Sequence, residues 1–220
     1  MFKKTLSFFV SCLLIASAAV AAKEPVNLAV IKHKLERYHD SGEYLHDISD
    51  VATKALRYLE LRVERGDFKG KKPAIVLDID ETSLSNYPDM VRLDFGGTIE
   101  EIRQDEDKGT DEAIEPTLKL YRYAKAHHIA VFFITGRHEE ERQVTEENLQ
   151  KAGYLNHDGL ILRSGDYKKA PASVYKTAMR NQLTEKGYDI ILNMGDQQSD
   201  LRGGYADKTF KLPNPYYLIP

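Results

Sequence analysis

Apolar and polar positions divide the 220-residue chain into three stretches of different rhythm. The first is an apolar run from Leu6 to Ala22, broken only by small residues and preceded by Lys3 and Lys4. From Val26 to Val63 apolar side chains recur at helical spacing, at Leu35 and Tyr38, then at Ile48, Val51, Ala52, Ala55, Leu56 and Leu59. A break at Ser41-Gly42 divides this segment, residues 26–65, into two predicted helices. From Pro73 short apolar runs alternate with helical ones. Residues 74–79, 129–134, 159–162 and 190–194 predict buried strands, and residues 116–127, 139–152 and 172–186 predict helices between them. Strands alternating with helices predict a mostly parallel sheet with helices on both faces, an α/β three-layer sandwich.

The opening run has a charged n-region, an apolar h-region and a small-residue ending, the pattern of an export signal over residues 1–22, cleaved near Ala21 or Ala22. A membrane anchor is the rival reading, but the run is short for a span and rich in alanine at its end. Removing it takes away two of 31 basic residues and none of 34 acidic ones, which leaves 29 against 34, a charge of −5. The single cysteine, Cys12, leaves too, so residues 23–220 hold no thiol, in keeping with a periplasmic or secreted setting. Phe9-Val10-Ser11 before Cys12 is a poor lipidation signal. An acidic chain without a dense Lys/Arg stripe lacks the electrostatic footprint of a nucleic-acid binder.

Chemistry gathers where the predicted strands end. The first leads into Asp78-Ile79-Asp80-Glu81-Thr82, the second into Thr135-Gly136-Arg137, and the last into Gly195-Asp196-Gln197-Gln198-Ser199-Asp200. A parallel sheet brings such ends to one edge, so Asp78, Asp80, Asp196 and Asp200 converge there. That many carboxylates repel unless a cation or a proton lies between them. Oxygen ligands without histidine or cysteine favour Mg2+ over zinc, and magnesium suggests phosphate. A carboxylate can serve as nucleophile, and Thr135 and a lysine can hold phosphoryl oxygens.

These motifs, with Ser83-Leu84-Ser85-Asn86 and Val174-Tyr175-Lys176, resemble the haloacid dehalogenase (HAD) superfamily, and within it the acid phosphatases that include exported bacterial enzymes and plant vegetative storage proteins. The match runs over residues 73–220. The resemblance implies a HAD-like Rossmannoid fold in a single domain, 23–220, with Asp78 as nucleophile and magnesium ligand. It implies Asp80 as general acid and base with its carbonyl on the metal, Asp196 as third metal ligand, Thr135, Gly136 and Lys176 on the phosphoryl group, and Asp200 as support. Lys168 is the alternative to Lys176. Arg137 either binds phosphate or, as favoured here, pairs with Glu140 or Glu141. His138, His127 and His128 read as surface residues.

Residues 83–115 are longer than a simple βα connection and read as a small cap insertion, with Asn86, Tyr87 and Phe95 as leaving-group contacts; Phe95 could equally pack the cap. A short cap implies an open site and small phosphomonoester substrates, with nucleotides as candidates. The presence of Asp80 favours ester cleavage over dehalogenation, because an alkoxide needs a proton and a halide does not. No Arg-His-Gly motif supports a histidine nucleophile. A phosphotransferase on the same site and a storage or binding protein with little turnover are the alternatives; the physiological ester and oligomeric state stay open.

Overall fold

The alternation of strand and helix patterns is realised as a five-stranded sheet in a computed structural model that describes residues 23–68 and 70–219. Its strands are β1 (Lys72–Leu77), β4 (Ala130–His138), β5 (Gly159–Arg163), β6 (Tyr188–Gly195) and β7 (Thr209–Lys211). Their order is β5-β4-β1-β6-β7, and every pairing is parallel. The first strand in sequence therefore lies at the centre, with the site-bearing β4 and β6 on either side.

Both faces of β1 are covered, which is why its sequence reads as an unbroken apolar run. Ile75 and Leu77, with Val131 and Phe133 of β4, pack under α2 (Glu43–Arg65) and α5 (Glu115–Ala126). Ala74 and Val76, with Phe132 and Ile134, pack under α7 (Ala172–Glu185). Alternate residues thus serve opposite layers, and the three-layer α/β architecture follows.

The two amino-terminal helices are α1 (Leu28–Asp40), capped by the Asn27 side chain, and α2, entered through Gly42 at φ +84°. Gly42 takes a left-handed conformation that costs other residues more, so the chain breaks where Ser41-Gly42 predicts. Tyr44, Ile48, Ala52, Ala55 and Leu59 form the buried stripe of α2, whereas α1 buries none of its side chains.

The observed elements depart from the sequence reading in several places, among them β1, which ends at Leu77 rather than at Ile79. β4 extends through Arg137 to His138, four residues past the apolar run, because pairing with β5 resumes at His138–Arg163 after an irregularity. The helix expected from residue 139 begins as a 3-10 turn, Glu139–Glu141, before α6 (Arg142–Lys151). β7 carries too short a signal to register. Residues 83–115 hold a two-stranded antiparallel ribbon, β2 (Leu84–Ser85) with β3 (Glu112–Ala113), and two short helices, α3 (Tyr87–Arg92) and α4 (Ile99–Glu106). Residues 1–22, the signal-peptide reading and Cys12 among them, lie outside the described residues. Among the described residues no helix is long and apolar enough to cross a membrane.

Candidate active site

Asp78 follows β1 directly, and its amide continues the ladder by donating to the Met194 carbonyl at 3.0 Å. The chain then turns sharply: Ser83 and Leu84 both donate to the Ile79 carbonyl, and Glu81 adopts a left-handed φ of +51°. That turn exposes one edge of the Asp80 carboxyl to a cavity of about 570 Å3 at the carboxyl ends of β1, β4 and β6.

Lys176 on α7 reaches this edge from the opposite layer. Its ammonium donates to Asp78 Oδ1 and to Asp200 Oδ1, both at 2.6 Å, and all three side chains are buried. Carboxylate oxygens of Asp78, Asp196 and Asp200 lie within 4.8 Å of one another. Burial opposes the charge on Lys176, but Asp200 and Asp78 more than offset it and hold the amine protonated. Burial and the Asp200 charge push Asp78 well above the carboxylate range, against the pull of Lys176. Burial and Asp200 likewise raise Asp196. One ammonium cannot neutralise three buried carboxylates, so the cluster carries excess negative charge.

Asp196 is the most heavily supported of the three. Thr82 Oγ1 donates to Oδ1 at 3.2 Å; Gln197 Nε2 and Asn214 Nδ2 donate to Oδ2 at 2.7 and 2.6 Å. Asp200 accepts the Gln197 backbone N–H on its second oxygen at 2.7 Å. Gly195 is needed for room rather than for a left-handed turn: a Cβ there would lie 2.4 Å from Asp200 Oδ2, and its φ is not positive.

Asp80 sits in a separate set of bonds. Arg137, buried on the extended end of β4, donates to Asp80 Oδ1 from Nη2 at 2.7 Å and from Nε at 3.1 Å. Asn86 Nδ2 donates to the same oxygen at 2.9 Å, and the Thr135 hydroxyl lies 3.4 Å from the other. Burial raises the Asp80 carboxyl, but the Arg137 charge and the hydrogen bonds from Arg137 and Asn86 outweigh it and hold Asp80 below its ordinary value.

The expected site residues thus fall into two adjoining groups, Asp78, Lys176, Asp196 and Asp200 in one, Asp80, Asn86, Thr135 and Arg137 in the other. Gly136 lines the cavity with nothing within 4 Å of a Cβ built on it. Lys168 is not in the site; it pairs with exposed Glu140. Arg137 pairs with Asp80 and with Asp111 at 3.1 Å, not with Glu140 or Glu141, because β4 runs on and turns its side chain inward. His138 lines the cavity rather than the open surface, with its ring beside Arg103 of α4. Tyr87 does not line it: its ring stacks on His39 and its hydroxyl donates to Asp40, so α1 holds it. Phe95 does, with Met90, Leu93, Tyr216 and Tyr217.

Sequence reasoning missed Asp111, Asn214, Tyr216 and Tyr217. Asp111 has no local signal. Asn214, between Pro213 and Pro215, carries one, since prolines fix the backbone on both sides of a polar side chain.

A family model described as HAD superfamily, subfamily IIIB (acid phosphatase) matches residues 2–220. The chain belongs to that subfamily. With it comes membership of the phosphoric monoester hydrolases. The chain is similar to "Acid phosphatase 1" of Solanum lycopersicum, 38% identical over 189 residues, 84% of this chain and 73% of the relative. "Stem 28 kDa glycoprotein" of Glycine max is 40% identical over 156 residues, covering 67% and 61%. "Vegetative storage protein 1" of Arabidopsis thaliana is 31% identical over 184 residues, covering 82% and 67%. The chain therefore spans from about three fifths to three quarters of these relatives. Among solved structures, the class C acid phosphatase from Bacillus anthracis shares the fold, with TM-score 0.72 at 23% identity and 86% of each chain covered. A second structure of that phosphatase, with tungstate bound, superimposes equally well, at 22% identity.

Proposed function

We propose that this subfamily IIIB chain is a magnesium-dependent acid phosphatase that hydrolyses small phosphate monoesters through an aspartyl-phosphate on Asp78. The observation that carries the reading is Lys176 bound between Asp78 and Asp200, beside Asp196 and a separately held Asp80.

The donor set fits a hard divalent cation. The cluster is built of carboxylate oxygens without histidine or cysteine, and it holds more negative charge than Lys176 offsets. Asp78, Asp196 and the Asp80 carbonyl would hold the ion, while Asp200, occupied by Lys176 and the Gln197 amide, supports them. When bound, magnesium supplies charge neutralisation for an anionic nucleophile and an anionic phosphoryl group.

The protein's own groups divide the remaining work. Lys176 draws the Asp78 carboxyl down against burial, so that with the cation beside it Asp78 would be ionised for in-line attack on phosphorus, and Lys176, Thr135 and Gly136 bind the phosphoryl oxygens. Asp80 gives its proton to the leaving oxygen as the P–O bond breaks, then takes one from the water that hydrolyses the acyl phosphate, which regenerates Asp78. Arg137 holds Asp80 ionised before substrate arrives; the incoming anion raises its carboxyl, so mildly acid pH supplies the proton.

The expected test is turnover of p-nitrophenyl phosphate at mildly acid pH that is lost with chelator and restored by Mg2+. Full activity in Asp78→Asn would sink the mechanism. Phosphoryl transfer to an alcohol uses the same site, and product analysis with an added nucleoside detects it. A storage role without turnover predicts a damaged motif, whereas Asp78, Asp80, Thr135, Lys176, Asp196 and Asp200 are all present.

We also read residues 83–115 as the cap over a single domain, 23–220, with Asn86 and Phe95 facing the leaving group, and residues 1–22 as an export signal to the periplasm or medium. Amino-terminal sequencing of exported protein would show Ala22 or Lys23 first.

A further inference from the structure

We infer that Tyr44 is a positioning residue for the general acid, acting through Glu81 and Asn86, so that α2 is part of the catalytic machinery as well as of the core. The inference rests on the role of Asp80 proposed above. Packing alone accounts for most of α2: Ile48, Ala55 and Leu59 cover the sheet. Tyr44, in its first turn, does something else. Its hydroxyl donates to Glu81 Oε2 at 2.6 Å, and both residues are buried.

Glu81 is an expensive residue to place there. It is 0% exposed and non-glycine in a left-handed conformation, where a carboxyl group must be hydrogen-bonded in either protonation state. Its carboxylate collects three donors: the Tyr44 hydroxyl, the Asn86 backbone N–H at 2.6 Å and the Ser85 hydroxyl at 3.3 Å. One oxygen thus holds α2, and the other holds the loop at 85–86.

The chain of bonds continues into the site. Asn86, fixed through its backbone by Glu81, aims Nδ2 at Asp80 Oδ1, 2.9 Å away, on the oxygen that Arg137 also grips. Tyr44 thereby sets the position of Asn86, and Asn86 sets the orientation of the Asp80 carboxyl. Arg137 supplies charge from the β4 side; the Tyr44–Glu81–Asn86 path supplies direction from the α2 side. Without the Tyr44 hydroxyl, Glu81 Oε2 loses its donor in a buried setting and is driven to seek another, which moves the Asn86 amide it holds.

A fault in aiming the general acid has a signature that general loosening lacks. A leaving alkoxide needs the Asp80 proton, whereas p-nitrophenolate is a stable anion and departs without it. The experiment compares kcat/KM for glycerol 2-phosphate and p-nitrophenyl phosphate in the wild-type chain and in Tyr44→Phe, which keeps the ring in its packing. We expect the alkyl ester to lose about tenfold, part of the ~10²–10⁴ that a general acid contributes, and the nitrophenyl ester to change less than about threefold. Asn86→Ala, which also removes a leaving-group contact and so lowers both esters, should still cost the alkyl ester about tenfold more than the nitrophenyl ester, and the double variant should be no worse than Asn86→Ala alone, as expected of residues on one path.

Equal losses on both esters in an active protein would overturn the inference and leave the phosphatase reading intact, as would an unchanged alkyl ester. A wild-type chain inactive on both would overturn that reading and this inference with it. If Tyr44→Phe melts below the assay temperature, Asn86→Ala carries the same discrimination: an equal loss on both esters there overturns the proposed path.

Discussion

Replacing Lys176 by methionine tests the cluster directly. The side chains of Lys176, Asp78 and Asp200 are each less than a tenth exposed, and both ion pairs are 2.6 Å long. Methionine keeps the volume and leaves two carboxylates facing each other beside Asp196. Removing one partner of a buried pair costs about 3–5 kcal/mol, because the stranded charge remains desolvated. At ~2–4 °C per kcal/mol for a chain of this size, the melting temperature falls by about 6–20 °C at pH 8 in chelator. The loss shrinks towards pH 5. Burial and Asp200 already place Asp78 above its ordinary value, and losing Lys176 removes the pull that lowers it. A carboxyl raised in the folded state binds a proton that the unfolded chain releases, so its penalty is full above the folded value and fades as pH falls towards ~3.9. Calorimetric melts at pH 5 and pH 8, with chelator and with Mg2+, read both effects. Lys168→Met, which breaks only an exposed pair, serves as control and should change stability by less than ~1 kcal/mol. A Lys176→Met melt within ~1 kcal/mol of wild type at pH 8 in chelator would refute the idea that this lysine neutralises a buried cluster.

Three further outcomes follow from the geometry. In chelator the wild-type chain should melt lower at pH 8 than at pH 5, since burial raises Glu81 to about 7, Asp111 to about 6 and Glu106 to about 9; Glu81 alone, moving from 4.5, is worth about 3 kcal/mol. A melting temperature that rises over that interval would contradict the assignment. Gly195→Ala forces a Cβ to within 2.4 Å of Asp200, and should cost ~1–3 kcal/mol in urea unfolding together with most of the activity. Asn214→Ala removes one donor from Asp196 and should weaken Mg2+ binding by ~10–100-fold by titration calorimetry, while an unchanged affinity would mean that Asn214 only anchors the carboxyl-terminal segment.

The sheet was legible because β1, β4 and β6 are buried on both faces and so read as unbroken apolar runs, and the carboxylates standing at their ends violate that pattern conspicuously. Asp78, Asp196 and Asp200 could be brought together by topology alone. Side-chain direction could not. Nothing in Thr135-Gly136-Arg137 shows that β4 continues and swings Arg137 onto Asp80 and Asp111 instead of Glu141. Tyr87 looked available for a substrate because the helix carrying His39 and Asp40, which hold it, precedes it by some 47 positions. β7 escaped notice because three residues carry no period. The rest of the missed site, Asn214 and Tyr216–Tyr217, belongs to an irregular segment with neither helical nor strand rhythm.

The central place of β1 has a consequence for how the chain is made. It is the first strand to be synthesised, yet both its edges wait for partners far downstream: the bond from Lys176 to Asp78 spans 98 positions, and that from Thr82 to Asp196 spans 114. Until β4 and β6 arrive, an apolar strand with two unpaired edges stands open to any other chain, and ordering by such distant contacts is slow. A chain in that state holds Asp78, the proposed nucleophile, without a lysine beside it, and its open strand edges favour aggregation. On the proposed mechanism, phosphate chemistry becomes possible only when the last third of the chain, with Lys176 and Asp196, has folded back beside Asp78.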